Sequence, residues 1–394
     1  MGVQAPTTDH AVSVSNPVPA SEAGYDRARL VEAESGSAVS YPHQRRRGRA
    51  SALNRSGRYE ILKKEIIDDG WDGLSDLPPL KTEVTFERAK KIITRNDSPD
   101  ISFDRSINPY RGCEHGCIYC FARPAHAFMG LSAGLDFETR LFAKPNAAEL
   151  LEAELAAPGY TPDTLAIGTN TDPYQPIEKK LKITRQILEV LERTNHPVAI
   201  VTKSAMILRD LDILTRMAKK NLVKVAISVT TLDHQLSRAM EPRAAAPGLR
   251  LETIKRLTDA GIPAAVMVAP IIPALNDMEI ERILEVAHSH GATEAGYVLL
   301  RLPFEVSELF RDWLLRHYPD KYRRVMSLLN EMRGGKDNDP RFHRRMRGEG
   351  HLAWLIGRRF ELTTKRLEMK RRIIKLTSDQ FQPPVRQGDQ LSLF

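Results

Sequence analysis

From residue 165 to residue 300 the chain alternates short apolar runs with longer segments whose apolar residues recur at helical spacing. Runs at 165–168, 198–202, 223–229, 264–268 and 295–300 read as buried strands. Segments at 177–194, 207–220, 249–260 and 277–290 read as helices. Gly261 stands where a helix C-terminus favours a residue with positive φ. Repeated alternation of this kind predicts a parallel sheet with helices outside. Such crossovers are right-handed, so they wind either a barrel or an open sheet. Short β-type runs at 101–103 and 107–110 add a further strand ahead of the series. The count is about six strand–helix units, fewer than the eight of a full barrel. The expected fold is therefore α/β, a partial (β/α)6 barrel, with a doubly wound open sheet as the alternative. No G-x-G-x-x-G follows any of these strands, which argues against dinucleotide binding.

All three cysteines of the 394 residues lie in Cys113-Glu114-His115-Gly116-Cys117-Ile118-Tyr119-Cys120, spaced C-x3-C-x2-C. An odd set at this spacing does not build a disulfide framework. Thiolates this close together bind soft or borderline metals. Zinc is one reading, with His115 as a local fourth ligand, although no second C-x2-C supplies the usual paired knuckle. An iron–sulfur cluster is the other. Four-iron clusters normally take four cysteines, so three would leave one iron open to a small molecule.

The pattern C-x3-C-x-aromatic-C, with Tyr119 before Cys120, resembles the cluster motif of radical S-adenosylmethionine (SAM) enzymes. The resemblance covers roughly residues 101–302. It implies a [4Fe-4S] cluster on Cys113, Cys117 and Cys120, with SAM chelated at the open iron. Reduction by a donor such as flavodoxin or ferredoxin would then yield a 5′-deoxyadenosyl radical that abstracts hydrogen from substrate. It also implies a partial (β/α)6 barrel whose cluster loop follows the first strand. Asp172, after the second strand, stands where the superfamily often has a Gly-Gly-Glu stretch holding the methionine amino group. Lys203, ending the third strand, matches a carboxylate-binding lysine, and Ser228, ending the fourth, a ribose or carboxylate contact. Tyr119 is placed to pack on the adenine. Each of these also has a plain reading, as a strand-end cap or as core. The arrangement is most similar to the spore photoproduct lyase-like group, often labelled DNA repair photolyases. In that lyase a further cysteine returns a hydrogen atom to the substrate radical. No cysteine here is left for it, and Tyr110, Tyr174 and Tyr297 are the alternative donors.

Net charge is +8 and pI about 9.3. Residues 339–377 carry twelve Lys and Arg against four Asp and Glu, a difference equal to the whole excess. A localised basic segment suits a polyanion such as nucleic acid. Residues 1–57 read as a disordered arm with a basic knot at Arg45, Arg46, Arg47 and Arg49. Residues 58–100 read as a lead-in, 101–302 as the barrel, 303–377 as a basic helical extension and 378–394 as a flexible tail. The last five residues, Gln390, Leu391, Ser392, Leu393 and Phe394, resemble the pentapeptide with which bacterial repair and replication proteins bind the sliding clamp. No secretory signal and no apolar run long enough to span a membrane are read, so the expected compartment is a reducing cytoplasm. The expected function is a radical SAM enzyme acting on nucleic acid, in DNA repair or modification. The alternatives are the same chemistry on a protein or small molecule, or a non-enzymatic zinc-binding interaction protein.

Overall fold

The computed structural model describes residues 46–60, 78–369 and 375–384. Its strands are β1 (Glu83–Phe86), β2 (Ile93–Arg95), β3 (Arg105–Ile107), β4 (Tyr110–Arg111), β5 (Arg140–Ala143), β6 (Leu165–Ile167), β7 (Val198–Thr202), β8 (Val223–Ser228), β9 (Ala264–Ile271) and β10 (Glu294–Leu299). The main sheet has seven strands in the order β10-β9-β8-β7-β6-β3-β2. Every neighbouring pair from β3 to β10 is parallel. Only β2 runs antiparallel, against β3. A doubly wound sheet needs a switch point where strand order reverses. Here the six parallel strands follow one another in chain order without reversal, which is the partial (β/α)6 barrel.

Local chemistry accounts for the elements. In β7, Val198, Ile200 and Thr202 are buried and alternate with half-buried neighbours, as a strand packed on both faces requires. The crossover helix Ile183–Arg193 buries Ile183, Ile187, Leu188 and Leu191. The helix expected at 177–194 is broken at Lys182, which has φ 54° and separates Glu178–Leu181 from Ile183–Arg193. The expected strand at 101–103 is absent, and pairing starts at Arg105. Asn96 accounts for this: it donates to the Phe103 carbonyl at 3.1 Å and accepts from Ser98 N at 3.1 Å, folding the segment into a turn.

Both ends of the described chain are more ordered than composition suggested. Residues 46–57 belong to the arm expected to be disordered, yet Ala50, Ser51, Ala52 and Leu53 are buried. Arg49, from the expected basic knot, is buried too and donates to Glu138 O at 2.6 Å and to Thr82 Oγ1 at 2.8 Å. At the other end, residues 378–384 were expected to be flexible. Instead Phe381 packs against Tyr160 and His196, and Gln382 N donates to Thr194 O at 2.9 Å. These contacts lie beside the loops that enter β6 and β7, on the face where strands begin. Residues 390–394 lie outside the described residues. No helix among the described residues is long and apolar enough to cross a membrane.

Candidate active site

The cysteine loop follows β3 and therefore sits where the parallel strands end. Thr171 and Asp172 after β6, Lys203 after β7 and Ser228 closing β8 share that face. Sites of β/α barrels form there, because the loops leaving the strands converge.

The loop is shaped by two glycines and clamped by buried side chains. Gly112 and Gly116 have φ of 74° and 66°. A Cβ at Gly116 would come within 2.7 Å of Glu138 Oε2. Glu138 is fully buried and paired with the equally buried Arg123 at 2.6 Å. Arg123 also donates to the carbonyls of Cys117 and Gly116 at 2.9 Å, Ala133 at 3.0 Å and Gly134 at 2.9 Å. From the loop beyond β6, Gln175 accepts from Glu114 N at 2.9 Å and donates to Gly112 O at 3.2 Å. Beyond β8, Ile118 N donates to Met240 O at 3.0 Å. The loop is thus held on three sides by groups that would be costly to leave unpaired.

The structure gives Asp172 a different task from the one expected. Its Oδ1 accepts from Tyr174 N at 2.9 Å and Thr202 Oγ1 at 2.7 Å. Its Oδ2 accepts from Lys203 N at 2.8 Å and lies 3.3 Å from His115 Nδ1. A carboxylate offers about four acceptor sites, and here internal partners fill them, so none is left for a methionine amino group. Burial pushes the Asp172 carboxyl up, but His115, Thr202 and Lys203 outweigh it and hold the group at about 2. Asp172 is the hinge pin that ties the β6 and β7 ends to the cysteine loop.

Lys203 is a half-buried cation near the thiols. Its Nζ lies 3.6 Å from Glu241 Oε1 and 5.7 Å from the centroid of the Tyr119 ring. Burial lowers its pKa, against the opposing pull of Cys117. Glu241 is fully buried and anchors this corner. It accepts from Thr230 Oγ1 at 2.7 Å, from the Tyr119 hydroxyl and from Arg250. Arg250 also donates to Ser228 O at 3.0 Å. Tyr119 is thus buried with its hydroxyl committed, and Ser228 is buried at the strand end. Sequence reasoning missed Arg123, Glu138, Gln175, Glu241 and Arg250, since each is a single residue whose partners lie elsewhere in the chain.

These residues fit a four-iron cluster held by three thiolates. Burial raises all three thiols above their ordinary value. Against this, the backbone N–H of Asp172 reaches Cys113, and those of Ala122 and Arg123 reach Cys120. Lys203 faces both Cys117 and Cys120. Such donors and cations favour the thiolate form that binds iron. Among the described residues no three His, Cys, Asp or Glu side chains converge where a single ion would sit. His115, the fourth ligand of the zinc reading, has Nδ1 turned to Asp172.

Of the three tyrosines weighed as hydrogen donors, Tyr110 has its hydroxyl bonded to Glu178, Tyr174 is fully buried beneath Arg209 with its hydroxyl unpaired among the described residues, and Tyr297 packs on Phe360 with Arg347 over its ring. The basic segment also differs from expectation. Arg345, Arg359 and Arg366 pair with Asp100, Glu281 and Glu285, acids from outside the segment. The local excess of charge therefore overstates the free positive surface. The loop around Met346 is nonetheless fixed at the end of β10, through Leu299 N to Met346 O at 3.0 Å and through the buried Arg333, which donates to Leu300 O at 2.6 Å.

Comparison with known proteins agrees with this geometry. Residues 107–287 match the family model described as Radical SAM superfamily. An uncharacterized protein of Mycobacterium tuberculosis is 36% identical over 230 residues, which cover 58% of this chain and 68% of the relative. An uncharacterized protein of Methanocaldococcus jannaschii is 26% identical over 245 residues, covering 61% of this chain and 86% of that one. Among solved structures, a point mutant of spore photoproduct lyase has TM-score 0.53 at 15% identity, covering 72% of this chain and 79% of that chain. Spore photoproduct lyase complexed with dinucleoside spore photoproduct has TM-score 0.52 at 14% identity over 72% and 79% of the two chains. At these identities the likeness is one of fold.

Proposed function

This chain belongs to the radical SAM superfamily and is a radical SAM enzyme, and from that premise we propose a reaction on nucleic acid, in DNA repair or modification. Cys113, Cys117 and Cys120 would hold a [4Fe-4S] cluster. When bound, it would supply the electron for reductive cleavage of SAM to methionine and a 5′-deoxyadenosyl radical. The chain's own residues orient and insulate. Arg123 and Gln175 fix the loop backbone, and Asp172 fixes its approach to β6 and β7. Lys203 offers an ammonium to the methionine carboxylate, with Glu241 holding it in place. Tyr119, buried beside Lys203, keeps water from that corner.

The observation that carries this reading is the set of three thiols, Cys113 and Cys117 buried and Cys120 half-buried, facing amide donors and Lys203 where the parallel strands end. The nucleic-acid substrate is supported by the pI of about 9.3 and by the fold shared with a lyase solved with a dinucleoside photoproduct. The clamp-like pentapeptide, Gln390 to Phe394, would recruit the enzyme to DNA. The test begins with anaerobically purified protein. It is expected to be brown, to carry about four irons and to release 5′-deoxyadenosine from SAM on reduction. A colourless protein that leaves SAM intact under those conditions sinks the reading.

A further inference from the structure

An arc of exposed aromatic rings, each faced by an arginine, borders the cysteine loop. Phe121 directly follows Cys120 and is 47% exposed, with the Arg301 guanidinium 5.5 Å from its ring centroid. Phe304 is three residues beyond Arg301 and 70% exposed. The Arg58 guanidinium lies 4.2 Å from the Phe304 ring, 5.5 Å from Tyr59 and 5.9 Å from Phe128. Tyr59 and Phe128 stack at 5.3 Å, and Phe128 is 72% exposed. Glu305 pairs with Arg58 at 2.8 Å and steadies it. On the other side, Arg301 Nη1 reaches Met346 Sδ at 3.6 Å, and Arg345 covers Phe342 at 4.7 Å.

Two observations set this arc apart from scattered surface apolar residues. Phe304 has φ 51° and ψ −125°. A bulky side chain at positive φ is strained and persists only where its surroundings impose it. Here the strained backbone presents a ring to solvent instead of burying it. In addition, rings alternate with guanidinium groups that lie 4.2–5.9 Å from their centroids, within cation–π range. That composition takes bases on the rings and phosphates on the arginines of unpaired nucleic acid. A paired duplex hides its base faces and would leave the rings unused.

We propose that the arc holds an unstacked stretch of polynucleotide at the barrel mouth, with bases on Phe304, Phe128, Tyr59 and Phe121 and phosphates on Arg58 and Arg301. The inference rests on the nucleic-acid reading above and moves it from the basic segment to this rim. It also meets a chemical need. A hydrogen atom on a stacked base is out of reach of a radical formed inside a barrel, so the base must leave the stack.

The test is fluorescence anisotropy with full-length, cluster-loaded protein kept anaerobic. The probes are a labelled oligothymidylate, its oligouridylate counterpart and a fully paired duplex. The wild type is expected to prefer the single strands, and the two strands together report whether DNA or RNA is favoured. Phe304→Ala and Phe128→Ala are each expected to weaken single-strand binding by about five- to hundredfold, with Phe304→Trp retaining it. An unchanged melting temperature checks that the exposed substitutions leave the fold intact. Alanine variants that bind as the wild type does overturn the arc while leaving the nucleic-acid reading standing. A wild type that binds none of the three probes overturns both. Self-association that Phe304→Ala abolishes, with oligonucleotide affinity unchanged, assigns the arc to a second copy of this chain and overturns the proposal.

Discussion

Arg123→Met probes the clamp beneath the cysteine loop. In the wild type one guanidinium satisfies four carbonyl oxygens and the Glu138 carboxylate, with no exposure to water. Removing it leaves a buried carboxylate without its cation, which costs about 3–5 kcal/mol. Each stranded carbonyl adds about 1 kcal/mol or more where the loop fails to relax. A loss of about 5 kcal/mol is therefore expected, a large share of typical domain stability. The double variant Arg123→Met with Glu138→Leu removes both charges and is expected to recover about 2 kcal/mol. Recovery stays incomplete because Ala50 N and Ser51 N then lose the Glu138 oxygens. Iron content is expected to stay low in both variants, since the Gly116 and Cys117 carbonyls remain unanchored. Urea unfolding and iron and sulfide stoichiometry after reconstitution measure the two effects separately. If the double variant loads iron as the wild type does, Arg123 serves stability alone and the clamp argument fails.

Lys203→Met is expected to weaken SAM binding by about ten- to hundredfold, the worth of one charge-assisted contact. Calorimetry on unreduced, cluster-loaded protein measures this, and unchanged affinity removes Lys203 from the site. Stability should fall on the acid side of neutrality through two buried imidazoles. Burial holds His126 and His196 down at about 4, against an ordinary 6.5. Both are neutral in the fold and take up protons on unfolding, so their contribution is full above about pH 6.5 and declines as pH falls toward about 4. The expected loss is about 2 kcal/mol each by about pH 5. Denaturant unfolding at the two pH values, with and without His196→Gln, checks the slope. Deleting residues 390–394 is expected to abolish calorimetric binding to purified sliding clamp, and equal binding by the shortened chain refutes the recruitment role.

The barrel was legible because its signal is periodic. Strands such as β7 repeat an alternation along several residues, and five of the expected runs became parallel strands with ends no more than three residues from those expected. The thiol loop was legible because its three ligands are local. What stayed hidden is what depends on partners far apart in sequence. Glu241 precedes Pro242 at a helix end and looks like a surface residue, yet it meets Tyr119 and Arg250 in the core. Asp172 was visible, but its task was not. A carboxylate at a strand end reads the same whether its lone pairs are free or filled, and only the positions of Tyr174, Thr202 and His115 decide. Charge counting along 339–377 is blind for the same reason to Asp100, Glu281 and Glu285, which arrive from elsewhere to pair with three of its arginines.

The docking of residues 378–384 constrains how a tail could cooperate with the mouth. Thr377 N donates to Asn221 O at 3.1 Å and Gln382 N to Thr194 O at 2.9 Å, which pins this stretch beside the loops that enter β8 and β7. The cysteine loop and the aromatic arc lie where the strands end, on the opposite face. From Pro384 to Gln390 the chain spans at most about 20 Å even when fully extended. A clamp engaged by Leu391, Leu393 and Phe394 would therefore sit behind the barrel, away from its mouth. Tethering in this arrangement raises the local concentration of enzyme near DNA without holding the mouth against the duplex that the clamp encircles. If both proposals hold, substrate selection would then fall to the rim, which would favour a nucleotide already unstacked over one presented by the clamp.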